Sequence, residues 1–212
     1  MNRCAITNTG KFFNTYARQY EKYFRKKGLH KEQKHLVEGI ERSGIAQAGV
    51  LEIGCGVGGL HLSLLKNGAA HATGFDMSAG MIVGARKLAA EMGMQERTQY
   101  WQGDFVELHE QAPLADVTIL DKVICCYENA RELIARSTAK TRRVYAVSYP
   151  RDHVIARAFF KTTILLFKLF RASFHPHYHP PKQIEQWIAS EGLQKTYERH
   201  TLIWVVQAFQ RT

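Results

Sequence analysis

The run Val50-Leu51-Glu52-Ile53 passes directly into Gly54-Cys55-Gly56-Val57-Gly58-Gly59, and this junction constrains the chain more than any other segment. A short apolar run with β-branched members favours a strand. The leucines that follow, Leu60, Leu62, Leu64 and Leu65, favour a helix. A strand-to-helix turn built from glycine lets backbone N–H groups approach a ligand with no Cβ in the way. Asp76, 22 residues beyond Gly54, ends the next apolar run, Ala72 to Phe75. A carboxylate there can accept from both hydroxyls of an adenosine ribose. Glycines alone also make ordinary turns, and an isolated Asp is often only a surface residue. Both together in one βαβ unit point to a nucleoside-bearing ligand.

The rest of the chain fits that unit. Phe12, Tyr16, Tyr20, Tyr23/Phe24, Leu36, Val37 and Ile40 recur at helical spacing over Lys11 to Arg42, with a break expected at Gly28. Gly80 to Met92 and Asn129 to Ala139 read as further helices. Strands are expected at Thr98 to Gln102, Val117 to Leu120 and Val144 to Tyr149. A helix covers about 154–172, another follows Pro180-Pro181 over Lys182 to Ser190, and Gln194 to Arg199 and Leu202 to Phe209 form a closing hairpin. Alternating strands and helices imply a parallel sheet covered on both faces. The expected class is therefore α/β: a Rossmann-like three-layer sandwich whose seven-stranded, mostly parallel sheet ends in an antiparallel hairpin. One domain is expected over 1–212, with a helical lid at 1–45, a ligand-binding core at 46–150, and a helix insertion plus hairpin at 151–212.

Competing ligands are narrowed by what the turn lacks. The spacing Gly54-x-Gly56-x-Gly58 departs from the G-x-G-x-x-G of dinucleotide sites, and Gly59-Leu60-His61 offers no Lys-Ser/Thr pair for a nucleotide triphosphate. Glu52-Ile53-Gly54-Cys55-Gly56-Val57-Gly58 resembles the first motif of class I S-adenosylmethionine-dependent methyltransferases. Asp76 matches that family's ribose-binding acid, and Gly103-Asp104-Phe105 matches the stretch that holds adenine. The resemblance runs over essentially the whole chain and includes the terminal hairpin. It implies that Glu52, Gly54, Cys55, Gly56, Gly58, Asp76, Met77, Asp104, Phe105 and Asp121 hold S-adenosylmethionine, with S-adenosylhomocysteine as product. Tyr16, together with Tyr20 one helical turn on, is implied to close over the methionine end. The Pro-Gly-Gly turn common before the fifth strand is replaced by Thr138-Ala139-Lys140-Thr141-Arg142-Arg143. The Asn/Asp-Pro-Pro-Tyr motif of amino-methylating nucleic-acid enzymes and the Pro-Cys motif of cytosine-5 RNA enzymes are both missing around Asp121 to Tyr127.

The chemistry asks little of side chains, because methyl transfer from a sulfonium rests on alignment and on exclusion of water. A base is needed only for a poorly ionised hydroxyl or a protonated amine. Asp121, Tyr127 and His177 are the candidates for that task. His175, His177 and His179 alternate in a proline-flanked loop with no carboxylate or cysteine to complete a metal site, so a loop rimming the acceptor pocket is expected and no metal. The four cysteines, Cys4, Cys55, Cys125 and Cys126, do not read as a disulfide framework and fit a reducing, cytoplasmic compartment. MNRCAITNTGKFF has no apolar core long enough for a signal peptide.

Lysine and arginine exceed aspartate and glutamate by 10, a balance that favours acidic small molecules, nucleic acid or an anionic membrane surface. On the helix near 154–172, Arg157, Lys161, Lys168 and Arg171 fall within roughly 80° of one another at about 100° per residue. Such a stripe can lie on a membrane or roof a lipophilic pocket; it can equally be a solvated face. The expected function is methyl transfer to a small or medium-sized, lipophilic acidic molecule, with general similarity to ubiquinone-pathway and magnesium-protoporphyrin methyltransferases. Peripheral membrane association is compatible with it. The rivals are an RNA methyltransferase using the basic surface, and a catalytically silent cofactor-binding module.

Overall fold

The computed structural model of the protein describes residues 3–169, 174 and 176–211, with backbone alone at 3–7, 159 and 168. His175, Arg171 and the side chains of Cys4 and Lys168 therefore lie outside the described residues.

Helices α1 (Arg3–Lys27) and α2 (Lys31–Glu41) precede β1 (Gly49–Ile53), α3 (Gly59–Lys66), β2 (His71–Asp76), α4 (Ala79–Glu91) and β3 (Thr98–Gln102). Then come the single turn α5 (Phe105–Leu108), β4 (Ala115–Asp121), α6 (Ala130–Thr138), β5 (Thr141–Pro150), α7 (Val154–Leu169), α8 (Pro181–Ser190), β6 (Leu193–His200) and β7 (Trp204–Arg211). The seven strands lie in the order β3-β2-β1-β4-β5-β7-β6. The first five run parallel, and β7 pairs antiparallel with both β5 and β6. This is the sandwich with a terminal hairpin that the alternation of strands and helices called for.

The period of two along each strand sets up two apolar layers. Val50, Val117, Ile119, Val144 and Ala146 pack against α2, α3 and α4 through Leu36, Ile40, Leu64, Met81 and Leu88. Leu51, Ile53, Leu120, Tyr145, Val147 and Tyr149 face α6 and α8 through Leu133, Ile134, Ile184 and Ile188. The strand order reverses between β1 and β4, so their carboxyl ends open a crevice at that switch point, where open α/β sheets take their ligands.

Several boundaries differ from the periodicity, two of them by three residues or more for a structural reason. Helix α1 begins at Arg3 rather than Lys11, because its early turns are held by contact rather than by an apolar stripe. A Cβ on Gly10 would come within 2.7 Å of the Met77 carbonyl oxygen, and Asn14 Oδ1 accepts from the Gly80 N–H at 2.5 Å. Strand β5 starts at Thr141, inside the segment read as a loop. There the Thr141 hydroxyl donates to the Thr118 hydroxyl across the sheet at 2.8 Å.

Candidate functional site

Gly54 and Gly56 adopt φ of +66° and +53°, the left-handed region in which a side chain is strained. A Cβ on Gly54 would also lie 2.4 Å from the Val123 side chain. The turn is closed by Asp76, which stands at the end of the neighbouring strand β2. Its Oδ2 accepts from the Gly56 N–H and its Oδ1 from the Ser78 N–H, both at 2.8 Å. An ionised carboxylate has about four acceptor positions, so two backbone bonds leave capacity for hydroxyl donors. Burial pushes the Asp76 carboxyl up to about 6, against the pull of the two N–H donors.

These groups form one end of a cavity of about 510 Å³. Glu52, Gly54, Cys55, Gly56, Asp76, Met77, Gly103, Phe105 and Asp121 line it from the ends of β1, β2, β3 and β4. Other expected residues sit elsewhere. Asp104 does not line the cavity; it is buried, caps α5 by accepting from the Val106 N–H at 2.9 Å, and is pushed by burial up to about 6. Tyr16 does not line the cavity; it is exposed and packs on Phe12, which does, with ring centroids 5.1 Å apart, while Tyr20 reaches the wall. Gly58 sits behind the turn beside the His61 ring.

Glu52 has a second engagement that its place in the motif does not reveal. His61, in the first turn of α3, brings Nδ1 to within 2.6 Å of Glu52 Oε2, and its Nε2 lies 2.8 Å from the Tyr100 hydroxyl. All three residues are buried, and burial raises the Glu52 pKa.

The opposite end of the cavity is aromatic and comes from distant segments. Phe12 and Phe13 of α1, Phe160 and Phe167 of α7, Phe174 and Trp204 converge there. Phe12 lies 5.5 Å from Phe167 and 5.2 Å from Phe174. Polar groups are few. Asp121 accepts from Gln33 Nε2 at 2.9 Å and from the Ser148 hydroxyl at 2.5 Å, which fixes its carboxylate. Lys122, at φ +61°, is paired with Glu32 and lies 5.3 Å from the Trp204 ring centre. Burial lowers the pKa of His30, with Lys122 acting the same way, and its ring stacks on Tyr23 at 4.0 Å. The Tyr127 hydroxyl is buried with no hydrogen-bond partner among the described residues.

Of the three candidate bases, Asp121 and Tyr127 reach the cavity and His177 does not. The His177 N–H donates to the Cys125 carbonyl at 2.7 Å, and His179 Nε2 lies 2.7 Å from the Tyr127 carbonyl oxygen, which fastens the histidine loop to the turn after β4. Cys55, Cys125 and Cys126 are free thiols. Burial raises the pKa of Cys55, and Cys125 and burial raise that of Cys126, which keeps both neutral.

Sequence reasoning missed His30, Gln33, Lys122, Phe160, Phe167, Phe174 and Trp204. None sits in a motif; only the tertiary fold, whose β-α-β crossovers bring residues 30, 122, 160 and 204 to one crevice, makes them neighbours. The one signal was the aromatic density of α1 and α7.

The methyltransferase-domain family profile matches residues 50–146. Among solved structures, the chain is similar to magnesium protoporphyrin IX methyltransferase from Synechocystis PCC 6803 with bound S-adenosylmethionine. That likeness has 17% identity and a TM-score of 0.70, covering 98% of this chain and 97% of that one. It is also similar to geranyl diphosphate C-methyltransferase from Streptomyces coelicolor A3(2), at 12% identity and TM-score 0.64, over 84% of this chain and 78% of that one. The [4+2]-cyclase SpnF shares the fold at 10% identity and TM-score 0.73, over 97% and 96% of the two chains. No curated protein sequence matches the chain.

Proposed function

From the premise that this chain is a class I S-adenosylmethionine-dependent methyltransferase, matched to the methyltransferase domain over residues 50–146, we propose that it methylates a small or medium-sized lipophilic molecule carrying an acidic or hydroxyl group. One observation carries the reading. A single cavity joins the glycine turn and Asp76 to a wall of Phe12, Phe13, Phe160, Phe167, Phe174 and Trp204.

The cofactor, when bound, supplies an electrophilic methyl on a sulfonium. In this reading the Gly54 to Gly58 backbone lies along it, Asp76 accepts from its ribose hydroxyls, and Met77 and Phe105 flank the adenine. Glu52 borders the cavity and fixes His61 behind it, and Asp104 supports from behind by capping α5. Residues 1–45 act as the lid, 46–150 hold the cofactor, and 151–212 give the acceptor side of one domain. The aromatic wall desolvates the acceptor and excludes water, which favours in-line transfer. Lys122 and the unpartnered Tyr127 hydroxyl are the groups offered to the acceptor's polar end. His30, held neutral, is the group available to take a proton from a hydroxyl; a carboxylate acceptor needs none. An enclosed apolar wall suits a small molecule better than RNA. The free thiols support a cytoplasmic, reducing setting, and peripheral membrane attachment is compatible with it.

S-adenosylmethionine and S-adenosylhomocysteine are expected to stabilise the fold by about 2.7 kcal/mol at 100 times Kd, and NAD and ATP not at all. A thermal-shift assay with no response to either sulfur compound would sink the cofactor assignment. The acceptor reading is tested by incubating the protein with methyl-labelled S-adenosylmethionine and fractionated cell extract. Label is expected in solvent-extractable small molecules, and label confined to RNA would reverse the reading.

A further inference from the structure

The structure resolves α7 into three faces where the sequence showed two. At about 100° per residue, Ala156, Phe160, Thr163 and Phe167 occupy an arc of roughly 60° and turn inward. Ala156 and Phe160 are buried, and Phe160, Thr163 and Phe167 line the cavity. Arg157 and Lys161 stand beside that arc. Beyond them, Val154, Ile155, Leu165, Leu166 and Leu169 share an arc of roughly 120°, and all five are exposed, Val154 by 76%, Leu165 by 65% and Leu169 by 71%. Leu202, 64% exposed, sits on the hairpin turn whose Ile203 carbonyl accepts from the Arg151 N–H just ahead of α7. Exposed Thr162 also falls in that arc; single exposed leucines are ordinary, but five large apolar side chains exposed along one side of a helix mark a contact surface.

We propose that this outward face of α7 docks on an anionic membrane surface, with Val154, Leu165 and Leu169 entering the headgroup–acyl boundary and the adjoining cations meeting the lipid phosphates. Charge selects this occupant. From Arg151 to Lys182 the sequence holds six lysines and arginines, Arg151, Arg157, Lys161, Lys168, Arg171 and Lys182, and the single acid Asp152. Asp152 pairs with Arg157 and accepts from the Tyr178 hydroxyl at 3.0 Å, so that pair is neutral and the other five cations carry the excess. A second copy of the chain would set these cations against one another, whereas an anionic bilayer complements both the stripe and the net charge of +10. No helix among the described residues is long and apolar enough to cross a membrane, so the mode is attachment in the interface plane. The same helix then presents one face to lipid and the opposite face to the aromatic cavity, a short route for a lipophilic molecule. The docking surface does not depend on which acceptor the cavity takes.

The test is cosedimentation of the full chain with vesicles of phosphatidylcholine, with and without phosphatidylglycerol, over a salt series. Wild type is expected to bind the phosphatidylglycerol vesicles, to bind phosphatidylcholine alone less, and to weaken as salt rises. The triple variant Val154→Gln, Leu165→Gln, Leu169→Gln is expected to lose at least tenfold in partitioning. Its thermal shift with S-adenosylhomocysteine should equal that of wild type, because none of the three residues lines the cavity. The proposal is overturned if wild type remains in the supernatant of both vesicles or if the triple variant binds like wild type. It is also overturned if light scattering shows a wild-type dimer that the triple variant dissociates, since the face would then join two copies.

Discussion

Asp76→Ala is expected to weaken S-adenosylmethionine binding by roughly 10- to 150-fold, the equivalent of about 1.5–3 kcal/mol for hydrogen bonds to a charged acceptor. The variant also strips partners from the Gly56 and Ser78 N–H groups, so the glycine turn should loosen. Asp76→Asn separates the effects: one backbone bond survives on the amide oxygen, while the charge that receives the ribose hydroxyls is gone. Calorimetric titration measures both. Unchanged affinity in Asp76→Ala with an intact melting transition would show that the ribose is held elsewhere. The pH dependence follows from the same carboxyl. In the free protein it titrates near 6. Ribose hydroxyls donate to the ionised form, so the complex pulls the pKa down and binding releases a proton on the acid side of about 6. Affinity should be flat above that value and fall as pH drops through it, by up to about tenfold per unit. Asp76→Ala should flatten that slope, leaving any part that Asp104 contributes.

Glu52→Ala is expected to act on the fold more than on the cofactor. It leaves His61 Nδ1 without its partner in a fully buried layer, beside a Tyr100 hydroxyl that still holds the other ring nitrogen. Orphaning one member of such a network is destabilising by roughly 2–5 kcal/mol. At about 2–4 °C per kcal/mol for a chain of this size, the melting temperature should fall by about 10 °C. Glu52→Gln preserves shape and one hydrogen bond and should recover part of the loss. In variants still folded at the assay temperature, S-adenosylhomocysteine affinity should change by less than about threefold, well under half of a hydrogen bond to a charged group. A melting temperature equal to wild type together with lost binding would make Glu52 a direct ligand instead.

These two carboxylates mark where legibility ended. The placement of Asp76 was readable because it is local: a strand end, a fixed distance from a glycine turn, within one βαβ unit. Glu52 stands in the same motif, yet its partner His61 is set by how α3 lies across β1, and the spacing of nine residues carries no signature. The terminal hairpin was readable as well, since its strands alternate, although its turn falls at 201–203 and the last strand starts at Trp204 rather than Leu202. Tyr16 and Asp104 went the other way, expected at the ligand and found packing on Phe12 and capping α5.

By itself the sequence determined what depends on short-range chemistry. It determined the strand–glycine turn–helix unit with its acid, the alternation that makes a covered parallel sheet, the closing hairpin, and a basic, amphipathic segment near residue 160. Tertiary structure alone decided which groups meet across the crevice: His30 just before α2 and Gln33 within it, Lys122 after β4, Phe160 and Phe167 from α7, Trp204 from β7. It also divided the apolar surface of α7 into a face that lines the cavity and a face left to solvent. Periodicity reports that side chains share a side of a helix. Only packing determines what, if anything, lies against that side, because burial is a property of two surfaces and a sequence pattern describes one.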